Sequence, residues 1–281
     1  MPAAPLQPGP PAADPKIIAH ISGADRVQTS VLISRRGWDS AAAVVIAPGA
    51  QANLIDALAA APLAGQENAP VLLSVNGVVA AEVTAEIKRL GAGKIYAVGA
   101  LGQSVVSALS EAFPAAEIVV LRGQNRLETA LLINARIKEP QGVFVVGYNG
   151  LPDALSAAPF AVARRYVLLP AAPDGSLPAN PYAPALPGYI LGGPALTRDI
   201  PGYPRLYGPD RYATNIAVLN ALPFDLGTVY TANGQTLVDA LTGSALAAQT
   251  NSPVLLTPGW EPVSLPASID AAAARIYVFG G

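Results

Sequence analysis

The segment Arg205-Leu-Tyr-Gly-Pro-Asp-Arg-Tyr-Ala-Thr-Asn215 decides the fold, because the chain carries a version of it three times. The first version reads His20-Ile-Ser-Gly-Ala-Asp-Arg-Val-Gln-Thr-Ser30, and the middle one reads Leu121-Arg-Gly-Gln-Asn-Arg-Leu-Glu-Thr-Ala130. All three share a Gly, an Asp or Asn, an Arg and a Thr at the same spacing. The shared arginines are roughly 85–100 residues apart, far more than the roughly 20–50 residues of a solenoid unit. This period predicts repeated small domains.

Three further landmarks follow each version in the same order. An Asp-Ala-Leu segment predicts a helix, a short apolar run predicts a strand, and a second apolar run closing with glycine predicts another strand. The Asp-Ala-Leu segments begin at Asp56, Asp153 and Asp239. The apolar runs are Pro70–Leu73, Tyr166–Leu169 and Pro253–Leu256, and then Ile95–Ala100, Tyr189–Gly193 and Ile276–Gly281. The chain is therefore predicted to hold three tandem repeats, at residues 16–116, 117–203 and 204–281.

Strands and helices are predicted to alternate within each repeat. In the first repeat, Lys16–Ile21 is a predicted strand, Asp25 is predicted to cap the next helix, and the helix Val79–Leu90 is predicted to stop at Gly91. The strands are rich in Val and Ile and lack polar alternation, which indicates an α/β fold with small parallel sheets covered on both faces. Ligands on such sheets bind beyond the carboxyl ends of the strands. The repeated arginine lies at that place, directly after the first strand.

Composition excludes several classes of protein. The chain is 52% hydrophobic and only 13% charged, about half the usual charged fraction, so the repeats are expected to bury surface against one another. The net charge of −2 argues against a nucleic-acid partner. No run approaches the ~18 apolar residues of a membrane span. Cysteine is absent, which excludes disulfides and thiolate chemistry, and we predict no metal and no cofactor.

Two proline-rich stretches interrupt the pattern. Residues 1–15 contain six prolines and no apolar segment, so they are expected to form a disordered, extended leader rather than a signal peptide. The second stretch, residues 170–187, replaces the helix that the first repeat has at the same place. Five prolines between Pro170 and Pro184 forbid a continuous helix there. The second repeat is therefore predicted to be the irregular one.

This series of motifs resembles the type 2 cell-wall-binding repeats of Gram-positive surface proteins, over nearly everything after residue 16. The resemblance implies three parallel α/β modules, Rossmann- or Toprim-like, packed with pseudo-threefold symmetry. It also implies a secreted protein at the cell surface, anchored non-covalently through an anionic wall glycopolymer and often joined to an effector domain. Departures from the family pattern fall mostly in the second repeat, at Asn125, Glu128, Arg165-Tyr166 and the proline-rich loop, so that repeat is expected to contribute least to binding.

The repeated polar residues are the candidate ligand-binding set. Arg26, Arg126 and Arg211 are predicted anion contacts, because guanidinium is a planar, permanently charged fork for phosphate or carboxylate. Asp56, Asp153 and Asp239 are predicted to orient them. Thr29, Thr129 and Thr214 complete the set and are expected to bond locally in the first helical turn. An alternative stays open, in which each Arg pairs with the Asp of its own repeat only to hold helix ends or module interfaces together.

Two further functions stay open beside a non-catalytic binding module. One is a carboxylate-dependent wall hydrolase, although His20 is the only histidine and is not repeated, and neither a Walker A nor a Gly-x-Gly-x-x-Gly sequence is present. The other is a structural scaffold that displays another domain. Repetition favours binding over catalysis, because a ligand contact gains from being present three times.

Overall fold

Three four-stranded parallel sheets form the frame of the protein. They are seen in a computed structural model that describes residues 16–50, 54, 57, 59–259 and 265–281. The proline-rich leader and Asp56 lie outside the described residues. Strands and helices alternate as predicted.

Each repeat contributes a similar series of elements. The first repeat contains β1 (Ile17–Ile21), α1 (Arg26–Gly37), β2 (Ala43–Pro48), α2 (Ala60–Gln66), β3 (Val71–Ser74), α3 (Ala81–Leu90), β4 (Lys94–Val98) and α4 (Gln103–Ala112). The second contains β5 (Glu117–Leu121), α5 (Arg126–Asn134), β6 (Gly142–Val146), α6 (Leu151–Arg164), β7 (Tyr166–Pro170) and β8 (Gly188–Leu191). The third contains β9 (Arg205–Leu206), α7 (Arg211–Ala221), β10 (Thr228–Asn233), α8 (Val238–Ala248), β11 (Val254–Thr257), α9 (Ala267–Ala272) and β12 (Arg275–Phe279).

The repeats exchange strands in a ring. The three sheets have the orders β3-β2-β4-β5, β7-β6-β8-β9 and β1-β12-β10-β11. The first strand of each repeat therefore completes the sheet of another repeat. Strands β5 and β9 each join the sheet of the repeat that precedes their own, and β1 joins the sheet of the third repeat. The ring closes where β1 pairs in parallel with β12, from Ile17 opposite Arg275 to Ile21 opposite Phe279. Each sheet thus spans a boundary between two sequence repeats.

Local sequence explains how these elements begin and end. The central strand β2 is buried at all six positions, as expected for a parallel sheet covered on both faces. Asp25, Asn125 and Asp210 all cap helices in extended backbone conformation, each accepting from the backbone N–H three residues on. Helix α3 ends at Gly91, whose φ of 70° is the left-handed conformation that glycine adopts readily. Asn125 therefore does the same capping work as the aspartates.

The core lies where α2, α6 and α8 pack against one another, one helix from each repeat. These three helices are rich in alanine, glycine and serine. A Cβ added at Gly65 in α2 would lie 2.1 Å from Val162 Cγ1 in α6, so these two backbones approach closely. The low charged fraction of the sequence is explained by this burial between repeats.

The described part of the chain also bears on membrane-spanning helices and on the proline-rich stretch of the second repeat. None of the helices in it is both long and apolar enough to cross a membrane. Residues 171–187 contain no helix, in agreement with their prolines.

Candidate functional site

The repeated motif builds the same tight loop three times, between a first strand and its helix. The backbone N–H groups of Gly23, Gly123 and Gly208 donate to the hydroxyl oxygens of Thr29, Thr129 and Thr214, at 3.0, 2.9 and 3.1 Å. The glycine is required because the chain folds back on itself: an added Cβ would lie 2.3–2.4 Å from the Cβ of the residue five positions on. The three threonines are buried and bond locally, as expected.

Each repeated arginine reaches the loop that follows the second strand of its own repeat. Nη1 of Arg26 donates to the carbonyl of Gly49 at 2.5 Å, and Nη1 of Arg211 donates to the carbonyl of Gly234 at 2.6 Å. Arg126 makes the corresponding bond to the carbonyl of Tyr148 at 2.9 Å. The three side chains therefore extend across the carboxyl edge of a sheet, where the fold class predicts ligands to bind.

The aspartates that face Arg26 and Arg211 come from other repeats. Arg26 of the first repeat faces Asp239 of the third, and Arg211 of the third faces Asp153 of the second. The cause is the strand exchange for Arg26, since β1 joins the sheet that contains β10, and β10 leads into α8, the helix that carries Asp239. The alternative interpretation paired Arg211 with Asp239 of its own repeat, but Asp239 faces Arg26 instead; the partner it gave to Arg26, Asp56, lies outside the described residues. Among the described residues, neither of these Arg–Asp contacts is an ion pair within 4 Å.

Both described aspartates are deeply buried for carboxylates. The exposed fraction is 7% for Asp153 and 5% for Asp239. Burial raises the pKa of each carboxyl to about 6. The charge of Arg211 and a hydrogen bond with Thr214 oppose the rise for Asp153. The charge of Arg26 opposes it for Asp239. Asp153 also lies against the backbone of Gly192, where an added Cβ would meet its Oδ2 at 2.5 Å. Gly192 has a φ of 95°, so both the space and the backbone call for glycine.

The facing residues line two clefts between repeats. We call these the Arg26 cleft, about 160 Å³, and the Arg211 cleft, about 320 Å³. The Arg26 cleft is lined by Gly23, Ala24, Asp25, Arg26, Thr29, Thr236, Val238, Asp239, Gly280 and Gly281. The Arg211 cleft is lined by Asn149, Pro152, Asp153, Gly193, Leu196, Gly208, Pro209, Asp210, Arg211 and Thr214. Six of the predicted residues thus line these two clefts: Arg26, Thr29 and Asp239 in one, and Asp153, Arg211 and Thr214 in the other.

Arg126 has a different environment. Its guanidinium lies over the ring of Tyr148, 4.2 Å from the centroid, and its Nη1 also donates to Asn149 Oδ1 at 2.6 Å. In the other two repeats the residue whose carbonyl accepts from the arginine is a glycine, Gly49 or Gly234. Sequence reasoning missed Tyr148, although a tyrosine at the place of a repeated glycine was a visible signal. Asp56, the third predicted aspartate, lies outside the described residues.

The described residues contain no cluster of His, Cys, Asp and Glu that could hold a metal ion. The chemistry that these clefts offer is instead a fixed cation beside a buried carboxylate. Such a site can bind an anionic group through the guanidinium.

Comparison with known proteins identifies the repeats. The family model described as cell wall binding domain 2 (CWB2) matches residues 20–110, 121–199 and 205–281. Among curated proteins, the N-acetylmuramoyl-L-alanine amidase LytC of Bacillus subtilis is 27% identical over 257 residues, covering 86% of this chain and 50% of the amidase. The amidase enhancer of the same organism is 25% identical over 248 residues, covering 84% of this chain and 34% of that protein.

Solved structures show the same architecture. Cwp8 from Clostridium difficile superposes with a TM-score of 0.83 at 28% identity, covering 94% of this chain and 49% of Cwp8. Cwp6 from the same organism superposes with a TM-score of 0.82 at 26% identity, covering 95% of this chain and 46% of Cwp6. The chain therefore spans half or less of the length of these relatives.

Proposed function

The chain belongs to the cell wall binding domain 2 family, and from this membership we propose that it holds an anionic glycopolymer of the Gram-positive cell wall in the clefts between its repeats. A cell-wall-binding module of this kind anchors a secreted protein non-covalently at the cell surface and performs no catalysis itself. Any enzymatic or other activity then belongs to an effector domain joined to it. The relatives, which are longer than this chain, support that division of labour.

The observation that carries the proposal is the position of Arg26 and Arg211. Each is half-buried in the wall of an inter-repeat cleft, at the carboxyl edge of a sheet. Within the described residues, each guanidinium hydrogen-bonds to a single carbonyl, through Nη1. The other donors of the five-donor fork remain for a phosphate or carboxylate. The planar guanidinium matches the geometry of both anionic groups.

Repetition supports a polymer rather than a small ligand. Two or three weak anion sites on one rigid frame bind successive groups of one chain, so the second contact is intramolecular and overall affinity exceeds that of each site. In this scheme Asp153 and Asp239 orient the arginines, and the same role is proposed for Asp56. Thr29, Thr129 and Thr214 contribute by fixing the loops that present the arginines.

The competing role for the same residues is structural. A buried Asp that faces an Arg of another repeat also joins the two repeats, so loss of either residue could act through stability alone. The two roles predict different results for Arg211→Ala. A ligand contact lowers wall binding and leaves the melting temperature nearly unchanged, whereas a structural contact lowers the melting temperature and leaves binding per folded molecule unaltered.

The test is co-sedimentation with purified Gram-positive walls, before and after mild removal of their anionic polymers. We expect binding that disappears with the polymer, and weaker binding by Arg26→Ala and Arg211→Ala. Arg198→Ala is the matched control, because Arg198 is an exposed arginine that pairs with Asp174 and lines neither cleft. Binding that survives polymer removal, or equal losses for all three variants, would contradict the proposal.

A wall hydrolase is the second candidate, and one observation favours it. The Arg211 cleft contains two carboxylates, Asp153 with a pKa raised to about 6 by burial and the capping residue Asp210. Paired carboxylates in unlike environments are the pattern of glycoside hydrolases. Asp210, however, accepts from the backbone N–H of Ala213 at 2.8 Å and is held by its capping role. A zymogram on peptidoglycan separates the candidates: a cleared band lost in Asp153→Asn would establish hydrolysis.

A further inference from the structure

The rim of the Arg211 cleft carries two exposed apolar side chains. Leu196, which lines the cleft, has an exposed fraction of 44%, and Tyr207 has one of 51%. Tyr207 is the only aromatic residue in the described part of the chain that falls in the exposed class. In a protein that buries its other described aromatic side chains wholly or partly, an exposed ring beside a polar cleft indicates a contact surface.

Tyr207 is held at the cleft by its neighbours. It directly precedes Gly208, which lines the cleft. Its Cδ2 would lie 4.0 Å from a Cβ added at Gly193, another lining residue. The ring therefore stands at the edge of the same opening that Arg211 faces. Arg126 also has an aromatic residue beside it, Tyr148, but the face of that ring is already covered by the arginine.

The Arg26 cleft lacks these features. The residue that corresponds to Tyr207 in the first repeat is Ser22. Its Oγ would lie 3.5 Å from a Cβ added at Gly281, the glycine that corresponds to Gly193. The volume of the Arg26 cleft, about 160 Å³, is half that of the Arg211 cleft, about 320 Å³. Small-molecule sites commonly occupy about 300–1,000 Å³, so only the Arg211 cleft reaches the size of a site for a whole ring.

From this difference we infer that the Arg211 cleft holds one pyranose ring of the polymer, with a sugar face against Tyr207 and Leu196 and its anionic group on Arg211. The C–H groups on one face of a pyranose are apolar and weakly positive, and they pack well on the electron-rich face of a tyrosine ring. The Arg26 cleft, small and without an apolar rim, takes an anionic group alone. This inference rests on the proposed function and adds which cleft recognises the sugar.

Two soluble probes separate sugar recognition from anion binding. One is a set of short anionic glycopolymer fragments released from Gram-positive walls, and the other is inorganic polyphosphate, which carries charge without sugar. Calorimetric titration of the full chain is expected to show that Tyr207→Ser lowers fragment affinity by about 5- to 30-fold, the usual effect of removing an aromatic anchor. Polyphosphate affinity is expected to stay unchanged. Arg211→Ala is expected to weaken the binding of both probes.

Matched variants control for general surface effects. Leu196→Ala is expected to weaken fragment binding, whereas Leu132→Ala, at a leucine with the same exposed fraction of 44% outside both clefts, is expected to leave it unchanged. Tyr207→Phe keeps the ring and is expected to bind fragments as the wild-type chain does. The melting temperature of each variant confirms that it folds.

The outcomes distinguish this inference from the proposed function. The sugar subsite is overturned if Tyr207→Ser binds fragments normally, or if it loses affinity for both probes equally. Polymer binding still stands in that case when Arg26→Ala or Arg211→Ala weakens fragment binding. If the wild-type chain binds neither probe nor intact walls, the proposed function fails and the subsite fails with it.

Discussion

Asp239 in the third repeat and Arg26 in the first face each other because β1 is the outer strand of the sheet of the third repeat, whose helix α8 carries Asp239. Asp153 and Arg211 repeat the relationship one boundary further round the ring. The protonation of these carboxylates is therefore tied to how the repeats fit together.

Stability is expected to depend on pH through the two buried aspartates. Burial raises the pKa of Asp153 and of Asp239 from 3.8 to about 6, although Arg211 and Arg26 oppose the rise. Between these values the folded protein binds more protons than the unfolded chain, so the free energy of unfolding rises as pH falls from 7 toward 4. The gain is on the order of 1–3 kcal/mol per group.

Denaturant unfolding at several pH values measures this dependence. The double variant Asp153→Asn with Asp239→Asn has amides that mimic the protonated carboxyls, so its curve is expected to be flatter over the same range. A wild-type stability that falls between pH 7 and 5, or a variant with an unchanged slope, would show that these carboxylates are not what titrates.

The threonine of the motif is expected to stabilise its loop. Thr214→Val keeps the side-chain volume but removes the acceptor for Gly208 N–H and the partner of Asp153. An unsatisfied buried donor costs about 1–3 kcal/mol, so the free energy of unfolding should fall by that amount. Thr214→Ser retains the hydroxyl and should lose less. A loss for Ser larger than that for Val would instead point to packing of the threonine methyl group, which Val retains and Ser lacks.

The close approach of α2 to α6 is expected to tolerate no added methyl group. Gly65→Ala places a Cβ against Val162, and overpacking of this kind costs about 1–3 kcal/mol. Val162→Ala removes the group that would be met, so the double variant should be more stable than the sum of the single changes predicts. Thermal unfolding of the three variants gives this coupling energy. Strict additivity would mean that the helices shift apart instead.

Sequence reasoning recovered the fold because the repeat made each local signal visible three times. Asp25, Asn125 and Asp210 cap helices as their residue types suggested, and Gly91 ends α3. The ends of several strands differed by a residue or two, which the apolar runs alone do not determine.

The cross-repeat partners could not be read from the sequence in the same way. Spacing relates Arg26 to the Asp of its own repeat, but its facing residue is Asp239, brought there by pairing between the two ends of the chain. Strand exchange leaves no mark in the local pattern, because a first strand reads the same whichever sheet it joins. The role of Tyr207 was equally hidden, since exposure of a side chain depends on what packs over it.

The pairing of β1 with β12 also has a mechanical consequence. The two strands are parallel, so a pull on both ends of the chain draws β1 from its amino end and β12 from its carboxyl end, in opposite directions. The hydrogen bonds between the two strands are then loaded in shear, so they must break together and not one after another. The β1–β12 pair therefore resists such a pull in shear, at the place where the first and third repeats join.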